Sequence, residues 1–166
     1  WSRAQEFYNT YQRLGCTAKI KMGVSKAGKI TALDFKLHWD AGAYVEYGAN
    51  VVNAAGLSAS GPYKVDNLSI DSMCTYTNLP PCGAYRGFGY SEFLFGLESH
   101  ITRMARQMGI DPVDFRMKNA IKEGDTLPYG AHMNPTGIRD AIERVRKEIR
   151  WDVKEFRITE TAVGAA

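Results

Sequence analysis

Apolar residues recur at every second position in the first half of this chain and at spacings of three and four in the second. The change of rule falls within one short stretch rich in glycine and proline, residues 78–90. Ala18, Ile20, Met22 and Val24 alternate with Lys19, Lys21 and Gly23, and Ser25–Lys29 supplies turn chemistry. Leu33, Phe35, Leu37 and Trp39 then alternate with Asp34, Lys36 and His38. This pattern predicts an antiparallel hairpin. A third strand is expected over Leu68–Tyr76, with Leu68, Ile70, Cys74 and Tyr76 on a face that Ser72 interrupts. Beyond the change of rule, Leu94, Leu97, Ile101, Met104 and Met108 form a helical stripe, with Ser91 as the expected N-cap and Gly109 as the stop. Asp111-Pro112 is the expected cap and first residue of a short helix over Val113–Ala120. A last helix follows Thr136, with Ile138, Ile142, Val145 and Ile149 on one side. The expected fold class is α+β: antiparallel strands in the first half, a glycine-rich loop, then three helices.

Between strands two and three, residues 40–67 carry Gly42, Gly48, Gly56 and Gly61 among Ala, Asn and Ser. Such residues permit close backbone approach, and the stretch reads equally as an ordinary connection with some helix over Val51–Leu57. The charge balance, 21 basic against 18 acidic residues, is too even and dispersed for a nucleic-acid footprint. No run is long and apolar enough for a membrane span, so a cytoplasmic protein with neither membrane nor nucleic acid as partner is expected. Cys16, Cys74 and Cys82 lack CxxC spacing and read as free thiols. His38, His100 and His132 are isolated, so no metal ligand is expected among them.

The segment Asn78-Leu79-Pro80-Pro81-Cys82-Gly83-Ala84-Tyr85-Arg86-Gly87-Phe88-Gly89-Tyr90 joins the two halves. Its prolines stiffen the start, and its glycines allow turns that expose peptide N–H groups just before a helix N-terminus. Arg86 adds a fixed cation, and Tyr85 and Phe88 add flat faces. The chemistry fits a cradle for an electron-rich ligand, and equally a turn whose aromatics plug the core. Within it, Arg86-Gly87-Phe88-Gly89-Tyr90-Ser91-Glu92-Phe93 matches the RNA-recognition octamer except at Ser91, which gives an RNA-binding module as the alternative reading. In that module the octamer is a strand, whereas here it runs into a helical stripe.

The ordered set Ala41-Gly42-Ala43-Tyr44, Gly61-Pro62-Tyr63-Lys64-Val65-Asp66-Asn67, Thr77-Asn78-Leu79-Pro80, Ala84-Tyr85-Arg86-Gly87-Phe88-Gly89, Lys118-Asn119 and Glu123-Gly124-Asp125 resembles the molybdenum-binding subunit of the xanthine dehydrogenase and aldehyde oxidase family over about residues 2–150. The resemblance implies that residues 1–150 are a segment of a larger molybdopterin-binding catalytic domain, with 151–166 a tail of uncertain structure. It implies a molybdenum hydroxylase that oxidises an aldehyde or N-heterocycle with water-derived oxygen. Electrons would leave through [2Fe–2S] clusters and FAD on partner domains or subunits, and the metal chemistry belongs to the cofactor.

Carried over residue by residue, the resemblance assigns Tyr85, Arg86 and Gly87 to the molybdenum–pterin site and Phe88 to a flat substrate ring. Gly87 stands where carbon-monoxide-oxidising relatives place Cys, which argues against that substrate. Ala54 stands where xanthine enzymes carry an arginine that orients the purine, which argues against xanthine in its usual pose. Asn53 beside it is the substitute hydrogen-bonding candidate. The base glutamate is expected outside this chain, as are an upstream FGG motif and glutamine-containing pterin loops. Glu92 and Glu98 are expected in solvated or helix-capping roles. With Trp1 in place of a starting Met, the chain reads as an internal fragment, inactive or merely structural by itself, whose partners are the rest of the molybdenum subunit, the iron–sulfur and FAD units and a small-molecule substrate.

Overall fold

The computed structural model describes residues 1–151, so of the expected tail only Trp151 is described. In chain order the elements are α1 (Arg3–Asn9), β1 (Gln12–Arg13), β2 (Gly15–Val24), β3 (Ile30–Asp40), α2 (Gly48–Leu57), β4 (Asn67–Thr75), β5 (Cys82–Gly83), α3 (Tyr90–Gln107), α4 (Pro112–Asn119) and α5 (Ile138–Glu148). The fold is α+β, as the change of periodicity predicts.

The hairpin forms as expected. β2 and β3 pair antiparallel from Gly15↔Asp40 to Val24↔Ile30, with a register shift between Gly23 and Val24. The third strand, β4, corrects the antiparallel expectation: it pairs with β3 in parallel, from Ala32↔Asn67 to Asp40↔Thr75. The reason lies in the connection. Residues 41–66 contain α2, and a helical crossover returns the chain to the starting end of the sheet, which no tight turn could do. Ser72, which interrupts the apolar face of β4, accepts the indole N–H of Trp39 at 3.0 Å.

Leu33, Phe35, Leu37 and Trp39 point to one face of β3 and are fully buried, while Lys36 and His38 point to the other. Helix α3 covers the buried face with Phe93, Leu97, Ile101 and Ala105, and Phe35 meets Phe93 edge to face at 6.0 Å. Burial of each large side chain here contributes about 1.5–3 kcal/mol. The predicted stripe faces the sheet: Leu97 and Ile101 are central and fully buried, Leu94 and Met108 are partly buried against the core, and Phe93 and Ala105 add buried members on the two flanks. Ser91 is not the N-cap. Gly89, at φ 91°, takes that position and Ser91 lies inside the first turn. Gly109 ends the helix at φ 67° as predicted.

Asp111 caps α4 by accepting the N–H groups of Val113 and Asp114, with Pro112 as the first helical residue. Lys118 and Asn119, at the far end of α4, clamp the β2–β3 turn. Lys118 Nζ donates to the Ala27 carbonyl, and buried Asn119 accepts from the Ile30 N–H while donating to the carbonyls of Gly28 and Phe115. Helix α5 has no fully buried residue; Val145 and Ile149 on its apolar side are exposed. No helix among the described residues is long and apolar enough to cross a membrane.

Candidate functional site

The segment that joins the two halves is drawn in by backbone pairing. Asp40 accepts the Gly42 N–H at 2.9 Å and the Thr77 hydroxyl at 2.6 Å. Gly42 sits at φ 71°, and a Cβ there would lie 2.1 Å from the Pro80 carbonyl oxygen, so both conformation and space call for glycine. Ala43 and Cys82 donate to the carbonyls of Leu79 and Ala41. The Ala41-Gly42 and Leu79-Pro80 motifs therefore meet, and β5 leaves this junction paired in parallel with β1, Gln12↔Cys82 and Arg13↔Gly83.

Residues 84–89 follow β5 and lead into α3. The Phe88 N–H donates to the Tyr85 carbonyl and the Tyr90 N–H to the Gly87 carbonyl, both at 2.9 Å. The Arg86 carbonyl accepts from Arg13 Nη2 at 3.0 Å. Three successive carbonyls are thus taken up by the protein, whereas the N–H groups of Arg86 and Gly87 donate to no acceptor among the described residues. The Arg86 side chain is exposed and forms no hydrogen bond or ion pair among them. Phe88 adopts φ 43° and meets Tyr47 edge to face at 6.3 Å. Gly87, Phe88 and Gly89 all have positive φ, so the octamer is a turn and a helix start; the strand that an RNA-recognition module needs is absent here.

Tyr85 is exposed but anchored at its hydroxyl and its ring. Its hydroxyl donates to the Tyr11 carbonyl, and the Arg13 guanidinium lies 5.3 Å from its ring centroid. One cavity of about 580 Å3, bordered by Phe7, Tyr11 and Arg13, and another of about 370 Å3, bordered by Glu46, Tyr47 and Ala84, lie on either side of it. Ala54 is half-buried on α2, seven residues and hence two turns beyond Tyr47, on the same face. Asn53 is exposed and turned about 120° from Tyr47 by helix geometry. The structure therefore brings Tyr85, Arg86, Gly87 and Phe88 together, aligns Ala54 behind Tyr47 and leaves Asn53 aside.

Of the solvated or helix-capping roles expected for Glu92 and Glu98, Glu92 stands in the first turn of α3, but neither is simply solvated. The Glu92 side chain is 5% exposed and pairs with Arg13 at 2.7 Å in the first turn of α3. Its charge, after burial itself, pushes the Cys16 thiol up to about 11. Glu98 accepts the Tyr63 hydroxyl at 2.8 Å and the Arg116 guanidinium at Nε and Nη2. Among the described residues no group of three His, Cys, Asp or Glu is placed to hold a metal ion. Arg13 and Tyr47 touch the candidate loop and are not among the residues the sequence singles out. Tyr47 stood at helical spacing from Ala54 and was legible in principle; Arg13, in a two-residue strand, carries no local signal.

Open N–H groups, an exposed guanidinium and an aromatic ring at the start of a helix define a surface for an electron-rich ligand and a flat one beside it. Residues 1–120 match the molybdopterin cofactor-binding domain family. The chain belongs to that family, within the xanthine dehydrogenase and aldehyde oxidase group. It is 33% identical over 148 residues to the nicotinate dehydrogenase large molybdopterin subunit of Eubacterium barkeri, covering 89% of this chain and 35% of that protein. It is 34% identical over 152 residues to the xanthine dehydrogenase molybdenum-binding subunit of Escherichia coli O157:H7, covering 91% and 20%. The aldehyde oxidoreductase of Desulfovibrio gigas shares the fold at a TM-score of 0.86 and 25% identity, over 91% of this chain and 17% of that one. The chain thus spans 17–35% of the length of these proteins.

Proposed function

We propose that this chain supplies the active-site loop of a molybdenum hydroxylase that oxidises an aldehyde or N-heterocycle with oxygen derived from water. The observation that carries the reading is the loop's polarity: its carbonyls are satisfied inward while the Arg86 and Gly87 N–H groups and the Arg86 guanidinium remain open. Such a donor set fits an electron-rich metal–pterin group, which, when bound, supplies the two-electron oxidation.

Within this reading Arg86 and Gly87 donate to that group and Arg86 balances its charge. Tyr85 shapes the loop from behind, its hydroxyl being engaged by Tyr11. Phe88, braced by Tyr47, faces a flat substrate ring. Ala54 leaves that face without a guanidinium, so xanthine in its usual pose is not the substrate we assign. Gly87 offers no thiol, and a Cβ there would lie 2.4 Å from Ser91 Oγ, so carbon monoxide is not assigned either. Asn53 lies outside the substrate set. The proton acceptor comes from elsewhere in the subunit, since both Glu92 and Glu98 are held by arginines.

The exposed apolar and aromatic residues Phe7, Tyr44, Tyr76 and Leu79 are covered in this reading by the rest of the molybdenum subunit. Iron–sulfur and FAD units carry electrons onward. A cytoplasmic location agrees with the free thiols of Cys16, Cys74 and Cys82.

Arg86→Ala in the intact subunit is expected to lower kcat/KM about tenfold while molybdenum content is largely kept. Unchanged turnover at full metal content would overturn the role of the loop. Ala54→Arg is expected to raise kcat/KM for xanthine relative to an uncharged aldehyde by about tenfold, through a new bidentate contact; an unaltered ratio would detach Ala54 from the substrate site.

A further inference from the structure

We infer that Arg13 is the positioning residue that sets the conformation of the Tyr85–Phe88 loop and aims the Gly87 N–H outward. The inference rests on the proposed role of that loop.

Arg13 lies on β1, whose pairing with Gly83 puts its backbone at the start of the loop. From there one planar guanidinium serves four partners. Nη1 donates to Ser91 Oγ at 2.9 Å and Glu92 Oε1 at 2.7 Å, Nη2 donates to the Arg86 carbonyl at 3.0 Å, and the cation lies over the Tyr85 ring. These partners stand at both ends of the loop. Tyr85 opens it, while Ser91 and Glu92 belong to the first turn of α3 behind it.

The contact at Arg86 determines direction. In a trans peptide the carbonyl and the following N–H point opposite ways across one plane. With the Arg86 carbonyl held by Arg13, the Gly87 N–H must face away from Arg13, toward the side where no protein acceptor meets it. Gly87 itself, at φ 100°, depends on this arrangement: the position its Cβ would fill is 2.4 Å from Ser91 Oγ, the hydroxyl that Arg13 also holds. Loss of the fork frees the Arg86–Gly87 peptide plane and leaves Ser91 Oγ with Glu92 as its partner.

A lysine would keep the charge beside Glu92 but has no planar fork to reach three acceptors at once. This separates positioning from simple neutralisation of a buried carboxylate. In the intact molybdenum subunit, Arg13→Lys is expected to keep the thermal midpoint within a few degrees. Amide hydrogen exchange of the peptide covering residues 84–90 should quicken about tenfold, with exchange in β2 and β3 unchanged. Molybdenum content and kcat should fall together by several-fold. The more severe Arg13→Gln should show a larger acceleration, and if it fails to fold, Arg13→Lys alone gives the answer. Wild-type exchange over residues 84–90 in Arg13→Lys would overturn the inference. Faster exchange with unchanged molybdenum content and kcat would leave Arg13 as the loop's anchor and overturn instead the assignment of the loop to the cofactor.

Discussion

Gly89→Ala is expected to destabilise the chain by about 4 kcal/mol. Two costs combine. Gly89 sits at φ 91°, where an L side chain loses about 1–2 kcal/mol. The new Cβ would also lie 2.3 Å from the Val51 carbonyl oxygen and 3.0 Å from Ala55 Cβ, so α2 and the start of α3 must separate. That movement reaches Phe93 and the core under it. Gly109→Ala isolates the first cost: φ is 67° and nothing lies within 4 Å of the added atom, so about 1 kcal/mol is expected. Thermal unfolding of the purified subunit carrying each change should show a fall of roughly 10 °C for Gly89→Ala and about 3 °C for Gly109→Ala. Equal shifts would show that the approach of α2 to the loop is not close enough to matter.

Glu98→Ala is expected to cost about 3 kcal/mol, because one carboxylate serves two demanding partners. The change would leave the buried Tyr63 hydroxyl without an acceptor and the half-buried Arg116 guanidinium without its bidentate partner, although Thr102 and Pro112 still accept from it. Glu98→Gln should recover about half of the loss by keeping an acceptor. The same cluster carries a pH signature. Burial, and then the Glu98 charge, raise the Tyr63 hydroxyl well above the ordinary tyrosine value. Folding therefore favours the neutral phenol. The stability it contributes is complete below the unfolded value of about 10 and declines as the pH rises past it, since the unfolded chain ionises first. Tyr63→Phe should flatten the alkaline limb relative to the parent. Parallel decline in both proteins would assign that limb to other groups.

The hairpin, the three helices after the glycine-rich loop, the Asp111-Pro112 cap and the Gly109 stop are legible because each is written in neighbouring residues, whereas α1 was not expected. The parallel pairing of β4 was not legible, since strand alternation is the same for either direction and only the path of residues 41–66 decides between them. The α3 stripe is legible in direction but not in its members, for a related reason. Its apolar residues extend around more than one side, and the position of the sheet selects Phe93, Leu97, Ile101 and Ala105 among them. At the site, glycine spacing and Arg86 announced a loop with open donors. What holds the loop was silent: Arg13 is 73 residues from the carbonyl it binds, and Glu92 reads as any helix-surface acid until its burial is known.

The clamp of Lys118 and Asn119 on the turn at Ala27–Ile30 has a consequence in time as well as space. It closes a loop of about 90 residues, and the site segment lies inside that loop. A nascent chain that has emerged through Gly89 holds every residue of the site segment but lacks the contact that fastens hairpin to helices. Contacts so distant in sequence form slowly, because their closure entropy precedes their reward. The hairpin turn is therefore fastened late, only after α4 has been synthesised and docked.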